Sequence, residues 1–178
     1  AFGEDLELQT MANLAIFAGL RKDIDTMEEN EREVLTQMLL MMDKYDLYGK
    51  MAIPKKHDFD FEVPALYRIA ADTHGVFINP AMVEPFGLTL LEASATGLPI
   101  VATDEGGPTD IIRNCENGIL VNPKQPERIA TAVKKIISDT EIWEEYSKNG
   151  VLNVRKHYTW KQHAATYVKK VNQLMLKS

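Results

Sequence analysis

Two glutamates, Glu84 and Glu92, flank the seven residues Pro85-Phe86-Gly87-Leu88-Thr89-Leu90-Leu91. Gly87 reads as the opening of a helix that runs to about Thr96 and is closed by Gly97. Glu84 then falls in a loop, and Glu92 about a turn and a half into the helix. Between them, Phe86, Gly87, Leu88 and Thr89 offer backbone N–H groups at a helix N-terminus. Such a terminus attracts phosphate through its unpaired donors and its dipole. Gly87 lets a ligand approach the backbone closely. A Pro-Phe-Gly turn before a solvated amphipathic helix has the same spacing, so spacing alone leaves both readings open.

The elements around this stretch must place it at a ligand edge. Val76-Phe77-Ile78 is a short apolar run that reads as a buried strand, and Asn79-Pro80 stops it. Ile100-Val101-Ala102 is the next strand. Strand, loop, helix and strand form a βαβ crossover. In open α/β sheets, ligands lie at the carboxyl ends of the strands, which puts Glu84 there. Gly106-Gly107-Pro108 opens another helix through Ile112, and its paired glycines permit close approach to a ligand.

The rest of the chain alternates in the same way. Leu14–Ala18 and Met51-Ala52-Ile53 read as strands, with Gly19-Leu20-Arg21 and Lys55-Lys56-His57-Asp58 as loops at the same edge. The second loop reads equally as a phosphate or base contact and as a solvated turn. Residues 29–46 read as a helix with Val34, Met38, Met41, Met42 and Tyr45 on one face; that Met stripe is assigned to core rather than to a partner groove. Pro64 starts a helix with Leu66, Tyr67, Ile69 and Ala70 inward, and His74 lies at its end. Ile119-Leu120-Val121 is the last strand. Gln125–Ile137 is a helix, and Thr140–Asn149 another, capped by Gly150. Thr159 caps a last helix, with Gln162 three residues on and Trp160, Ala164, Tyr167, Val168 and Val171 on one face. The expected fold is therefore α/β, a Rossmann-like doubly wound parallel sheet in a single domain over 1–178.

Composition narrows the function. The 178 residues carry a formal net charge of −6, with 45% hydrophobic and 26% charged residues. This argues against a nucleic-acid or anionic-membrane surface. No apolar run approaches the roughly 20 residues of a membrane span. Cys115 is the single cysteine, so no internal disulfide can form, which fits a reducing cytoplasm. No metal-ligand spacing occurs.

The run Glu84-Pro85-Phe86-Gly87-Leu88-Thr89-Leu90-Leu91-Glu92-Ala93, followed by Gly97–Thr103 and Gly106-Gly107-Pro108, resembles the donor-site signature of retaining GT-B glycosyltransferases. The family is glycosyltransferase family 4. Asp43–Gly49, Val63–Ala71, Gly75–Ala81 and Gly106–Ile111 are similar to one branch of it. That branch moves glucose from UDP-glucose to fructose 6-phosphate with retention. The sucrose synthases of the family usually carry Ala where this chain has Pro85. The resemblance implies the C-terminal half of a GT-B fold, its first strand missing, and a nucleotide-sugar donor. It implies no cofactor and no obligatory metal. Glu84 is expected to face the sugar as the catalytic carboxylate, and Glu92 to bind the ribose. Phe86, Gly87, Leu88 and Thr89 are expected to hold sugar and distal phosphate, Ile53 and Pro54 to stack on the base, and Gly106 and Gly107 to complete the donor site. GDP-mannose and ADP-glucose enzymes share the two glutamates. A non-catalytic nucleotide-binding module on the same fold is also open, whereas epimerases and phosphorylases of the fold lack this run.

The family's Arg and Lys that clamp the diphosphate are expected upstream of Ala1, as is an N-terminal acceptor domain. On that expectation these 178 residues alone turn over no donor. Incubation with UDP-glucose and fructose 6-phosphate should release no UDP; release at the rate of an intact enzyme would refute it.

Overall fold

The computed structural model describes residues 1–176. Its contacts sort the chain into two compact units, one of residues 1–66 and one from Tyr67 onward.

The first unit contains α1 (Leu6–Met11), β1 (Leu14–Ala15), α2 (Glu29–Lys44), β2 (Met51–Ala52) and the start of α3 (Glu62–Asp72). β1 and β2 pair in parallel, Leu14 opposite Met51 and Ala15 opposite Ala52. The expected strands are longer than the observed ones. One further ladder bond, Ile16 N–H to Ala52 C=O, prolongs the pairing. Pro54 lacks the N–H needed to carry it on. In α2 the buried residue is Leu35. Val34 and Met41 are exposed, contrary to expectation. The inward stripe is Leu35, Met38, Met42 and Tyr45, of which the last three are half-buried. Val34 and Met41 start a neighbouring stripe with the same three- and four-residue spacing, so periodicity could not choose between them.

The second unit contains β3 (Phe77–Asn79), α4 (Leu88–Ala95), β4 (Ile100–Thr103), α5 (Gly107–Cys115), β5 (Gly118–Val121), α6 (Pro126–Ile137), α7 (Thr140–His157) and α8 (Trp160–Met175). The sheet is parallel in the order β3-β4-β5, with Phe77 opposite Ile100 and Ile100 opposite Gly118. All four residues of β4 are buried, as a strand covered on both faces requires. Leu90, Leu91 and Ala93 of α4 join Leu98, Ile100, Ala102, Ile111 and Cys115 in the core. Burial pushes the Cys115 thiol up to about 11, so this residue serves as packing rather than as a nucleophile. His74 ends α3 with φ 57°. Its ring lies 4.4 Å from that of Trp143, whose indole N–H donates to the Gly75 carbonyl at 2.8 Å.

Gly150 is not a cap. The helix expected to stop there runs on as α7 to His157, and Gly150 is buried within it. A Cβ at Gly150 would lie 3.0 Å from both the Ser94 carbonyl and Asn117 Nδ2. The glycine lets α7 pack against α4. At that contact Asn117 Nδ2 donates to Ser94 Oγ at 2.8 Å, and Ser94 Oγ donates to the Leu90 carbonyl at 2.6 Å. α7 also supplies Asn149 and Asn153, whose amides donate to the Glu116 and Cys115 carbonyls at the end of α5.

Thr159 caps α8 as expected, accepting the Gln162 N–H at 3.3 Å. No residue of α8 is buried, and Trp160 is 87% exposed. No helix among the described residues is long and apolar enough to cross a membrane.

Gly150→Val should lower stability by about 1–3 kcal/mol through overpacking. A thermal melt should show a drop of several degrees; an unchanged midpoint would mean that α7 does not need this close approach.

Candidate functional site

The sequence of the second unit places a loop and two helix starts at the carboxyl edge of its sheet. Asn79 ends β3, Gly87 precedes α4, and Gly106 precedes α5. Parallel pairing forces all three to one edge.

Glu84 is held by its backbone and by its side chain. Its N–H donates to the Glu105 carbonyl at 3.3 Å, and its carbonyl accepts the Gly107 N–H at 2.7 Å. Glu84 and Gly106 thereby form an isolated parallel bridge. In the carboxylate, Oε2 accepts from Asn79 Nδ2 at 3.2 Å, and Oε1 accepts from the Phe86 N–H at 3.3 Å. Both donors are neutral groups. Asn79 does more than stop the strand. Its Oδ1 also accepts the Ala81 N–H at 3.1 Å, which turns the chain and aims Nδ2 back at Glu84. An Asn at the carboxyl end of a short apolar strand, half-buried in the fold, is the available signal.

Gly87 adopts φ 97°, in the left-handed region. α4 has no side-chain cap and no acid in its first turn. The N–H groups of Leu90 and Leu91 turn inward to the Gly87 carbonyl. Those of Gly87, Leu88 and Thr89 find no acceptor among the described residues. Three open donors on a dipole's positive end are able to receive an anion. Phe86 differs from these three, because its N–H is engaged by Glu84. Its side chain and that of Leu88 are exposed.

Glu92 is exposed on α4. No spacing pattern links it to Tyr67 of α3. Burial pushes the Tyr67 phenol up to about 12, and the negative charge of Glu92 adds to the effect. Tyr67 packs edge-to-face on Phe77 with ring centres 5.6 Å apart.

Gly106 and Gly107 have a use beyond ligand approach. A Cβ on Gly106 would sit 2.2 Å from the Glu84 carbonyl oxygen, and one on Gly107 2.2 Å from that of Phe86. The paired glycines let the two loops touch and so carry Glu84.

Ile53 and Pro54 lie in the first unit, just beyond β2, and both are half-buried. The Ile53 carbonyl accepts from Arg21 Nη2 at 3.1 Å.

The family model for group 1 glycosyl transferases matches residues 6–152. This chain belongs to that family. A sucrose-phosphate synthase of Zea mays is 50% identical over 171 residues, which cover 96% of this chain and 16% of the maize protein. The chain thus spans about one sixth of that relative's length. A solved sucrose-phosphate synthase of Thermosynechococcus elongatus superposes with a TM-score of 0.71 at 26% identity, over 99% of this chain and 43% of the other. Anabaena HepE, solved in complex with UDP, gives a TM-score of 0.69 at 17% identity, over 99% and 52% of the two chains. The fold is that of the GT-B glycosyltransferases.

Gly107→Ala must push the Phe86 carbonyl away and free Glu84 from its bridge. A stability loss of about 1–3 kcal/mol is expected from the forced shift. Denaturant unfolding measures it; a loss below about 0.5 kcal/mol would show that the two loops separate freely.

Proposed function

We propose that the chain is the donor-binding part of a retaining hexosyltransferase that moves glucose from UDP-glucose to fructose 6-phosphate. The observation that carries this reading is Glu84, held by Asn79 and Phe86 next to three open N–H groups at the start of α4. A carboxylate beside an anion seat suits a sugar diphosphate, whose leaving group is anionic and whose anomeric carbon gains positive charge as the bond breaks. The half identity with a sucrose-phosphate synthase supports the choice of sugar, nucleotide and acceptor. The UDP found in HepE supports a uridine diphosphate on this fold.

In this reading, Gly87, Leu88 and Thr89 receive the distal phosphate with preorganised neutral donors, so little reorganisation is needed as charge builds on the departing diphosphate. Glu84 offsets charge at the anomeric carbon, and the Phe86 backbone keeps Glu84 in place. Glu92 binds the ribose hydroxyls. In the first unit, Ile53 and Pro54 stack on the base. Gly106 and Gly107 support the loop rather than touch the sugar. No metal or cofactor is assigned a part, and the acceptor is assigned to another domain of the parent protein. A single cysteine, buried and unpaired, supports a place in the cytoplasm.

The test separates the two glutamates. UDP should bind these residues weakly, with a dissociation constant nearer millimolar than micromolar, about 4–6 kcal/mol. Helix-dipole donors contribute only about 0.3–2 kcal/mol. Glu92→Ala should weaken UDP and UDP-glucose alike. Glu84→Ala should weaken UDP-glucose and spare UDP. Each loss should reach about 1.5–3 kcal/mol, the worth of a charge-assisted hydrogen bond. Calorimetric titration of both ligands decides it, and equal loss of UDP in the two variants would sink the division of roles.

A further inference from the structure

The first unit carries a cluster that the roles above leave unused. It lies where the chain leaves β1 and where it leaves β2, and it ties those two segments together four times. Arg21 Nη2 donates to the Ile53 carbonyl at 3.1 Å. The backbone N–H of Arg21 donates to the Lys55 carbonyl at 3.1 Å. Lys55 forms an ion pair with Asp23. His57, only 8% exposed, sits edge-on to Phe17 and Phe59, with ring centres 5.6 and 4.8 Å away.

The cluster is built but not closed. Arg21 Nε and His57 Nδ1 are buried and have no hydrogen-bond partner. The backbone N–H groups of Lys55, Lys56 and His57 also find no acceptor among the described residues. Buried donors and acceptors in a folded protein are nearly always satisfied. Two such atoms on one pair of loops are sealed from solvent, so the cluster's order rests on the four ties rather than on full hydrogen bonding.

Two of the four ties come from one side chain and its own peptide. A guanidinium can hold a carbonyl in a fixed direction while its backbone N–H holds a second carbonyl two residues on. An ammonium presents a point charge and has no such planar fork. The ion pair of Lys55 with Asp23 is exposed and contributes little. The shape of residues 53–57 therefore depends on Arg21 and on the aromatic seat of His57.

We propose that Arg21 is a positioning residue for nucleotide recognition: it holds the Ile53–His57 loop in the conformation that receives the base. This rests on the assignment of Ile53 and Pro54 to base stacking. Arg21 acts through the loop, not as a clamp on the diphosphate. Its effect should therefore be felt by the nucleoside part of the ligand and not by the phosphates.

The experiment uses the 178-residue chain, with Arg21→Lys and Arg21→Ala, and follows uridine, UDP and inorganic pyrophosphate by NMR titration. Both variants should bind uridine and UDP about tenfold more weakly and pyrophosphate unchanged. Backbone ¹⁵N relaxation at residues 53–57 should show a rigid loop in the parent chain and a mobile one in the variants. A loss of pyrophosphate binding equal to that of uridine, or full retention by Arg21→Lys, would make Arg21 an ionic clamp and overturn the proposal. An unchanged loop in the relaxation data would overturn it as well, even with nucleotide binding intact. If the parent chain binds neither uridine nor UDP, the base assignment fails, and with it the recognition role, however mobile the loop becomes. Thermal melts precede the titrations; should Arg21→Ala unfold, Arg21→Lys decides the matter.

Discussion

The hydrogen bond from the Gly107 N–H to the Glu84 carbonyl, 2.7 Å long, joins two loops that the sheet only brings near each other. Without it, Glu84 would sit on a connection of eight residues between β3 and α4, free to choose its own conformation. With it, the loop after β3 is pinned to the loop after β4, and the carboxylate inherits the rigidity of the buried central strand. Everything needed for this is local to the edge: no Cβ at 106 or 107, a left-handed turn at Gly87, and an Asn that folds back at the end of β3. The site is thus an extension of the strand pairing by one isolated bridge.

Rigidity at the edge in turn requires a core that does not slide. β4 is buried along its whole length, and the helices on its flanks are held by side-chain amides and a hydroxyl as well as by apolar contact. Asn117 donates to Ser94, Ser94 to the Leu90 carbonyl within α4, and Asn149 and Asn153 to the carbonyls at the end of α5. Such directional bonds set the register of packed helices, whereas apolar contact alone tolerates small shifts.

Much of this was legible in the residues. Gly and Pro punctuate the chain so strongly around residues 75–107 that strand, loop and helix could be placed to within a residue or two. The Glu84–Glu92 spacing and the open helix start followed from there. What failed did so for tertiary reasons. Gly150 ends a helical run in the same manner as a cap, and only the approach of Ser94 and Asn117 shows that it is needed mid-helix. Val34 and Leu35 begin equally good stripes, and the choice between them is made by what covers them. Asn79 and Arg21 act on residues five and thirty-two positions away. For Arg21 no local pattern announces the bond, because the partner's place is set by the sheet. Paired glycines suggest room for a ligand, whereas at 106 and 107 the backbone of Glu84 and Phe86 occupies the space beside them.

The place of α7 in the chain bears on how the protein is made. Strands β3, β4 and β5 follow one another in both sequence and sheet order, so each can pair with its predecessor as it leaves the ribosome. The helix that locks α4 and α5 together is translated afterwards, and its key residue, Gly150, emerges some thirty residues after Asn117, the side chain it must cover. During that interval the sheet exists without its lock. A newly made chain therefore has its three strands in hand before the contacts of α7 with α4 and α5 can form.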